Sequence, residues 1–297
     1  VGLDSMARVE LLTAGERECG TRVPADTRAT ILTVRQLVEA ALAAPRDETA
    51  TRPATSDRAE LAWDTLLGQP PDPALAANLE RRKTGRAVVM FVLLAILRLA
   101  ARLLLRFRTR GQAHLPSHGP FIISPNHQAY FDGFFLAMAL PFRTLKALFF
   151  VGAAEYFDTP FSAWLARAVN IVPVDPDANL VTAMQAGAAG LRLKKVLILF
   201  PEGERSIDGD LKTFRKGAAI LSSHLDAPIV PVALDGLFDL WPRGRSFNWR
   251  GLLPWRARPV TLAFGPPITV ARGEYVQGTQ ALRQRVEQLL AEIRSEP

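Results

Sequence analysis

The sequence predicts an α/β fold with a largely parallel sheet flanked by helices. From residue 120 onward, short apolar runs typical of buried strands alternate with stretches of helical pattern, which is characteristic of parallel sheets with helical crossovers. The strand-like runs are FIIS (121–124), ALFFV (147–151), IVPV (171–174), VLILF (196–200), PIVPVAL (228–234) and TLAF (261–264). The helical stretches fall near 132–140, 160–169, 179–192, 214–224 and 279–295.

Composition narrows the classes of partner. Of the 297 residues 48% are hydrophobic, and the formal net charge of +7 suits phospholipid surfaces, phosphorylated substrates or nucleic acid. The positive charge gathers beside an apolar run rather than among exposed aromatic residues, so we expect no nucleic acid partner. Cys19 is the single cysteine, which excludes a disulfide framework and a cysteine-based zinc site. No other metal-binding arrangement is evident.

Residues 81–108 predict a helix that lies in, or dips into, a membrane interface. The apolar run AVVMFVLLAIL (87–97) is too short to span a bilayer alone, since about 20 residues are needed. Arg98, Arg102 and Arg106 follow at intervals of four, which would place three charges on one helical stripe at the lipid head groups. The alternative is an amphipathic helix packed on the protein's own core.

The residues before this helix divide into two predicted segments. Residues 1–43 have apolar positions at helical spacing, and residues 44–78 are rich in Pro, Asp, Thr and Ala, which indicates a linker with room for a short helix near 59–67. The remainder, 79–297, would form the main domain. Because the chain opens with Val1 and runs straight into a motif, we interpret it as a piece of a longer protein.

Three polar clusters each follow directly on a predicted strand: NHQAYFD (126–132), DPD (175–177) and PEGERS (201–206). Ligands of open α/β sheets bind at the carboxyl ends of the strands, so we expect these clusters to converge. In the first, a turn would bring Asp132 to His127, where a carboxylate bonded to one imidazole nitrogen leaves the other as a base. The alternative is a structural histidine.

The PEGERS cluster suits an anionic ligand. Arg205 can hold a phosphate through paired hydrogen bonds, and Lys216 adds a cation just before a predicted helix. The alternative is a solvated charged loop. Elsewhere, His114, His118 and His224 have no catalytic neighbours in sequence, and no GxSxG turn supplies a serine nucleophile.

These blocks resemble the lysophospholipid and glycerol-phosphate acyltransferase family. NHQAYFD is similar to its NHxxxxD box and FPEGERS (200–206) to its FPEGTRS block, with Glu204 where threonine is common. NIVPVDP (170–176) and IVPVAL (229–234) resemble the second and fourth blocks, so the likeness covers about 84–297.

The resemblance implies direct acyl transfer from an acyl thioester of coenzyme A or acyl carrier protein to a lysophospholipid hydroxyl, with no cofactor for the transfer. His127 would act as base and Asp132 would orient it. Glu202, Gly203 and Arg205 would shape the acceptor-phosphate site, with Asn126 and Lys216 as further substrate-binding candidates. The resemblance also implies a membrane-associated enzyme of phospholipid synthesis or remodelling on the cytoplasmic face.

One departure concerns the second block, where the family often has an arginine that helps to hold the acceptor phosphate. The residue at this position is Pro176, which leaves the head-group preference open.

A second resemblance lies at the N-terminus. GLDSMARVEL (2–11), Val23-Pro24 and ILTVRQLVEAAL (31–42) are similar to the latter part of an acyl carrier domain, which implies phosphopantetheine on Ser5 in the full-length parent. The alternative for Ser5 is helix capping. Such a truncated bundle buries little surface. Carrier followed by acyltransferase resembles fusions that also contain an acyl-activating ligase.

Two classes of function therefore remain. The first is an O-acyltransferase, and the second is a catalytically decayed membrane-binding or acyl-carrier module. Retention of His127, Asp132, Glu202 and Arg205 favours the enzyme.

Overall fold

The computed structural model describes residues 63–71, 84–152, 171–173, 180–253 and 258–295, with the single positions 36, 39, 76 and 79. Among them are six helices with named bounds: α1 Thr84–Leu104, α2 Asp132–Ala139, α3 Phe142–Ala147, α4 Leu180–Arg192, α5 Gly217–Leu225 and α6 Tyr275–Ser295. The strands are β1 Arg108–Arg110, β2 Phe121–Pro125, β3 Leu148–Gly152, β4 Ile171–Pro173, β5 Val196–Ile198, β6 Ile229–Asp235 and β7 Thr261–Phe264.

The seven described strands form one sheet in the order β1-β7-β6-β2-β5-β3-β4. Every neighbouring pair is parallel except β6 and β7, which are antiparallel. The predicted α/β class is therefore confirmed. Strand β2 lies between β5 and β6, so the polar residues that follow it emerge at the centre of the sheet.

Each face of the sheet carries its own apolar core, because successive residues of a strand point to opposite faces. Ile122 faces one core together with α4, α5 and α6. Phe121 and Ile123 face the other core, which α1 and α2 cover. Strands buried on both faces explain why these segments are almost continuously apolar in sequence.

The predicted linker at 44–78 includes a helical segment, 63–68, that packs into the first core. Trp63 and Leu67 are each only 1% exposed. Its main chain accepts hydrogen bonds from α4, at 2.7 Å from Arg192 Nη1 to the Leu67 oxygen. Asp64 bonds through Oδ1 to His224 Nδ1 of α5 at 2.7 Å. The packed unit therefore includes the helical segment 63–68.

The predicted arginine stripe is also corrected. Arg98 is half-buried and donates from Nη2 to Thr109 Oγ1 at 3.0 Å, and Arg106 lies beyond the end of α1 with φ of 51°. Of the three, only Arg102 is an exposed residue within the helix. The single stripe fails because one arginine is used internally and another follows the last helical turn.

The length of the apolar segment was underestimated as well. Helix α1 has 21 residues, and its window Ala87–Leu104 has a mean hydropathy of 2.4 with 17% of it buried. By length and composition it could cross a membrane. Nine large apolar residues of α1 are exposed: Val88, Val89, Val92, Leu93, Ile96, Leu97, Leu99, Leu103 and Leu104.

Several predictions concern parts of the chain outside the described residues. They are the phosphopantetheine site at Ser5, the DPD cluster with Pro176, and the helix at 160–169. Within 1–43, only Gln36 and Glu39 are described, and both are helical.

Candidate active site

The turn between β2 and α2 folds around the carboxylate of Asp132, the first residue of α2. The main-chain N–H groups of Gln128 and Ala129 donate to Asp132 Oδ2 at 2.6 and 2.9 Å. Asp132 is 0% exposed. These bonds fix the carboxylate and the turn together, since a buried charge requires such partners.

The same carboxylate oxygen orients His127. His127 Nδ1 lies 2.7 Å from Asp132 Oδ2. A carboxylate only accepts hydrogen bonds, so the neutral imidazole carries its proton on Nδ1 and leaves the lone pair on Nε2. Within the described parts of the chain, no group bonds to Nε2, and the His127 side chain is 20% exposed. The imidazole also stacks on Phe200, with ring centroids 4.0 Å apart.

Glu202 joins the second polar cluster to the first. Its Oε1 accepts the main-chain N–H of His127 at 2.8 Å, and its Oε2 accepts that of Lys212 at 3.1 Å. The main-chain N–H of Ser206 in turn donates to the His127 carbonyl at 2.8 Å. The predicted convergence therefore holds for the NHQAYFD and PEGERS clusters. Glu202 supports the backbone of the histidine and has 4% of its surface exposed.

Gly203 permits a close approach that a larger residue would prevent. Its φ is +77°, and a Cβ at this position would lie 2.7 Å from Nε of Arg215. A side chain here would both strain the backbone and displace the guanidinium. The Arg215 main chain is fixed by a 2.7 Å bond from its N–H to the Pro201 carbonyl.

Asn126, predicted as a substrate-binding residue, uses its side-chain amide within the fold. Its Nδ2 donates to the Leu234 carbonyl at 2.9 Å, and its Oδ1 accepts the Leu234 N–H at 2.7 Å. With 3% of its surface exposed, Asn126 ties the end of β2 to β6. The structure therefore favours a positioning role for this residue.

The predicted cations lie on the same loops. The Arg205 guanidinium stacks over the ring of Tyr130, 3.5 Å from its centroid, and so lies beside the turn that carries His127. Lys216 is half-buried and immediately precedes α5.

A salt-bridge cluster beside the site was not foreseen. Glu204 pairs with Lys212 Nζ at 2.5 Å and also with Arg243 from the loop after β6. Its position in FPEGERS was noted, but nothing in the sequence connects it to Arg243. Two other contacts escaped notice because a stacking partner has no sequence signature: Phe200 beneath His127, and Tyr130 beneath Arg205.

Comparison with known proteins adds to this geometry. Residues 106–235 match the family model described as Acyltransferase. The matched region contains the turn after β2, the PEGERS loop and β6, which together build the candidate site.

Several known proteins are similar to the chain. It is 27% identical to the 1-acyl-sn-glycerol-3-phosphate acyltransferase alpha of Mus musculus, over 59% of this chain and 62% of that protein. It is 30% identical to the 1-acyl-sn-glycerol-3-phosphate acyltransferase of Limnanthes douglasii, over 54% of each. The corresponding protein of Pseudomonas aeruginosa is 25% identical, over 65% of this chain and 70% of that one.

The first of these relatives are matched over little more than half of their length, from 53% to 62%. Among solved structures, the 1-acyl-sn-glycerophosphate (LPA) acyltransferase PlsC from Thermotoga maritima has a similar fold. The TM-score is 0.58 with 22% identity, covering 73% of this chain and 85% of that one. This likeness supports the α/β fold described above.

We predict that stability depends on pH in opposite directions through Glu202 and Glu204, the two glutamates of PEGERS. Burial raises the pKa of the Glu202 carboxyl above its ordinary value of 4.5, although the N–H groups of His127 and Lys212 oppose the shift. The unfolded state therefore loses this proton at a lower pH than the folded state. As pH rises from 4.5 through the folded pKa, the free energy of unfolding of wild type falls relative to that of Glu202→Gln.

Glu204→Gln is the matched control. Hydrogen bonds from Lys212 and Arg243 lower the pKa of the Glu204 carboxyl, so wild type gains stability relative to this variant as pH rises through the folded pKa towards 4.5. Urea unfolding from pH 3.5 to about 7 measures both differences. Parallel curves for the two variants would contradict the assignment of burial to Glu202 and ion pairing to Glu204.

Proposed function

We propose that this protein transfers a fatty acyl group from an acyl thioester to the hydroxyl of a lysophospholipid such as 1-acyl-glycerol-3-phosphate. The observation that carries the proposal is the oriented His127–Asp132 pair at the carboxyl end of the central strand. The names of the similar proteins support the choice of acceptor.

In the proposed reaction, His127 Nε2 takes the proton of the acceptor hydroxyl while the oxygen attacks the thioester carbonyl carbon. The new C–O bond forms, the C–S bond breaks, and the leaving thiolate receives the proton from the imidazolium. Asp132 keeps Nδ1 protonated and stabilises the transient positive charge on the ring. No acyl-enzyme forms, so one base serves both proton transfers.

The acceptor phosphate would bind at Arg205, with Lys216 adding positive charge. A guanidinium recognises phosphate through charge-assisted hydrogen bonds, and the Tyr130 ring limits its orientations. The donor is acyl-coenzyme A or acyl carrier protein. We extend the proposal to membrane association through the exposed apolar face of α1, on the cytoplasmic side, where the acceptor lipid lies.

The phosphopantetheine arm on Ser5 remains part of the proposal for the full-length parent only. The alternative is a catalytically decayed module. In such a module, nothing would require a buried carboxylate with three hydrogen bonds beside an accessible imidazole. This arrangement supports the enzyme, because a structural histidine has no need of an open Nε2.

We predict that His127→Ala lowers the rate of transfer by about 10²- to 10⁴-fold, the usual contribution of a general base. The assay offers the purified protein lysophosphatidic acid with acyl-coenzyme A and quantifies phosphatidic acid by mass. His224→Ala serves as a control, since this imidazole lies in the opposite core, bonded to Asp64 and Tyr275. Turnover like that of wild type in a folded His127→Ala protein would exclude the mechanism.

We also predict that Arg205→Ala raises the Michaelis constant for the acceptor more than that for the thioester. The loss of one charge-assisted bond to phosphate costs about 1.5–3 kcal/mol, or roughly 10- to 150-fold. Steady-state kinetics with each substrate varied in turn separates the two constants. Arg283→Ala on α6, where the arginine pairs with Glu287, is the control. An effect confined to the donor would move Arg205 out of the acceptor site.

A further inference from the structure

We propose that residues 241–250, here called the aromatic–basic loop, bind the head-group region of an anionic bilayer and form a second membrane contact beside the active site. The loop follows β6 and has the sequence WPRGRSFNWR. It lies outside the apolar helix α1 and beyond the end of the matched family segment at residue 235. The membrane contact of the loop does not require the acyl transfer proposed above.

The charge of the loop is complementary to an anionic surface. It contains three arginines and no acidic residue. Arg243 is paired with Glu204 in the active-site loop, whereas Arg245 and Arg250 are exposed and form no ion pair with any described residue. Each cation held at an anionic membrane surface adds about fivefold to the affinity at low salt.

The aromatic residues of the loop form a connected row from the surface to the catalytic turn. The Trp249 side chain is 74% exposed and lies 4.5 Å, ring centroid to ring centroid, from Phe247. Phe247 is 5.7 Å from Trp241, which is 4.6 Å from Tyr130. Tyr130 lies three residues after His127, so the row joins an exposed tryptophan to the active site.

The exposure of Trp249 is built into the local structure. The N–H of Asn248 donates to the Leu240 carbonyl at 2.8 Å, and its Nδ2 donates to the Asp239 carbonyl at 3.1 Å. Trp249 then begins a short 3₁₀ helix that ends at Leu252. A tryptophan held outward between arginines is typical of proteins that anchor at the membrane–water interface.

The loop and α1 border the same helix. Trp241 and Phe247 contact Phe131, at the start of α2, with centroid distances of 5.1 and 5.8 Å. Helix α1 packs along α2 and α3, with Phe91 5.4 Å from Phe142. Phe91 of α1 and Phe247 of the loop both pack against one apolar cluster. A bilayer touching both would lie next to the turn that carries His127.

An acidic protein could also meet arginines, but it gives no reason for the exposed indole. A bilayer accounts for both features, because the indole enters the interface while the guanidinium groups meet phosphates. The row of rings further suits a lipid acceptor whose chain stays in the membrane. The bilayer is therefore the occupant that the residues favour.

The first test measures dissociation constants of the whole chain for vesicles of phosphatidylcholine alone and with added phosphatidylglycerol. The variants are Trp249→Ser and the double variant Arg245→Gln/Arg250→Gln. The control Arg283→Gln/Arg285→Gln removes the same charge from α6. We expect the loop double variant to weaken binding to anionic vesicles by about 25-fold at low salt, and the control by much less. We expect Trp249→Ser to weaken binding to both kinds of vesicle.

A second measurement covers the case in which α1 alone holds the protein on vesicles. Lipids brominated near the head group should quench a larger fraction of the tryptophan emission of wild type than of Trp249→Phe. Equal fractional quenching of wild type and Trp249→Phe would overturn the proposal, whatever the affinities of the loop and control double variants. If the loop variants bound vesicles as wild type does but no longer bound an acidic acyl carrier protein, the loop would dock a protein instead of a bilayer.

Discussion

One carboxylate oxygen of Asp132 organises the candidate site. Oδ2 accepts hydrogen bonds from two main-chain N–H groups and from His127 Nδ1, all within 2.6–2.9 Å. The same atom therefore closes the turn after β2, begins α2 and sets the tautomer of the imidazole. An anion buried at the start of a helix also benefits from the helix dipole. The fold and the chemistry depend on this one group.

The rest of the site keeps that turn in register with the sheet. Asn126 binds it to β6, and Glu202 binds the backbone of His127 to the PEGERS loop. The residues closest to the base thus act on its position, and the cations that would meet the substrate lie farther out. Substituting a positioning residue such as Asn126 should change the geometry of the site. Substituting Arg205 should instead remove a positive charge from it.

Much of this could be predicted from sequence. Buried parallel strands are nearly continuous apolar runs, so six strands were found near their observed bounds, and strand-end polar clusters indicated where the site lies. Strand β1 was missed because RTR, with the exposed Arg108, has no apolar pattern and is defined by its pairing with β7. The helix at 63–68 was undervalued because its partners, such as His224, are distant in sequence. Contacts of Glu204 with Arg243, and of Trp241 with Tyr130, likewise arise only in the folded chain.

The two faces of the sheet differ in what they expose to the outside. One face holds helices α4 to α6 and the segment 63–68, and its core is apolar and closed. The other carries α1, α2 and the aromatic–basic loop, and it presents apolar and cationic groups to the outside. The active-site turn lies at the head of α2, so the second face is the one from which a lipid would approach His127.

The tautomer of His127 tests the central claim most directly. Long-range ¹H–¹⁵N correlation spectra of labelled protein at neutral pH, with the His127 signals assigned through His127→Gln, report which ring nitrogen carries the proton. The account predicts a single Nδ1–H tautomer in wild type, and a mixture in Asp132→Asn because a carboxamide can either donate or accept. An Nε2–H tautomer in wild type would contradict it, because the nitrogen facing the acceptor hydroxyl could not then act as a base.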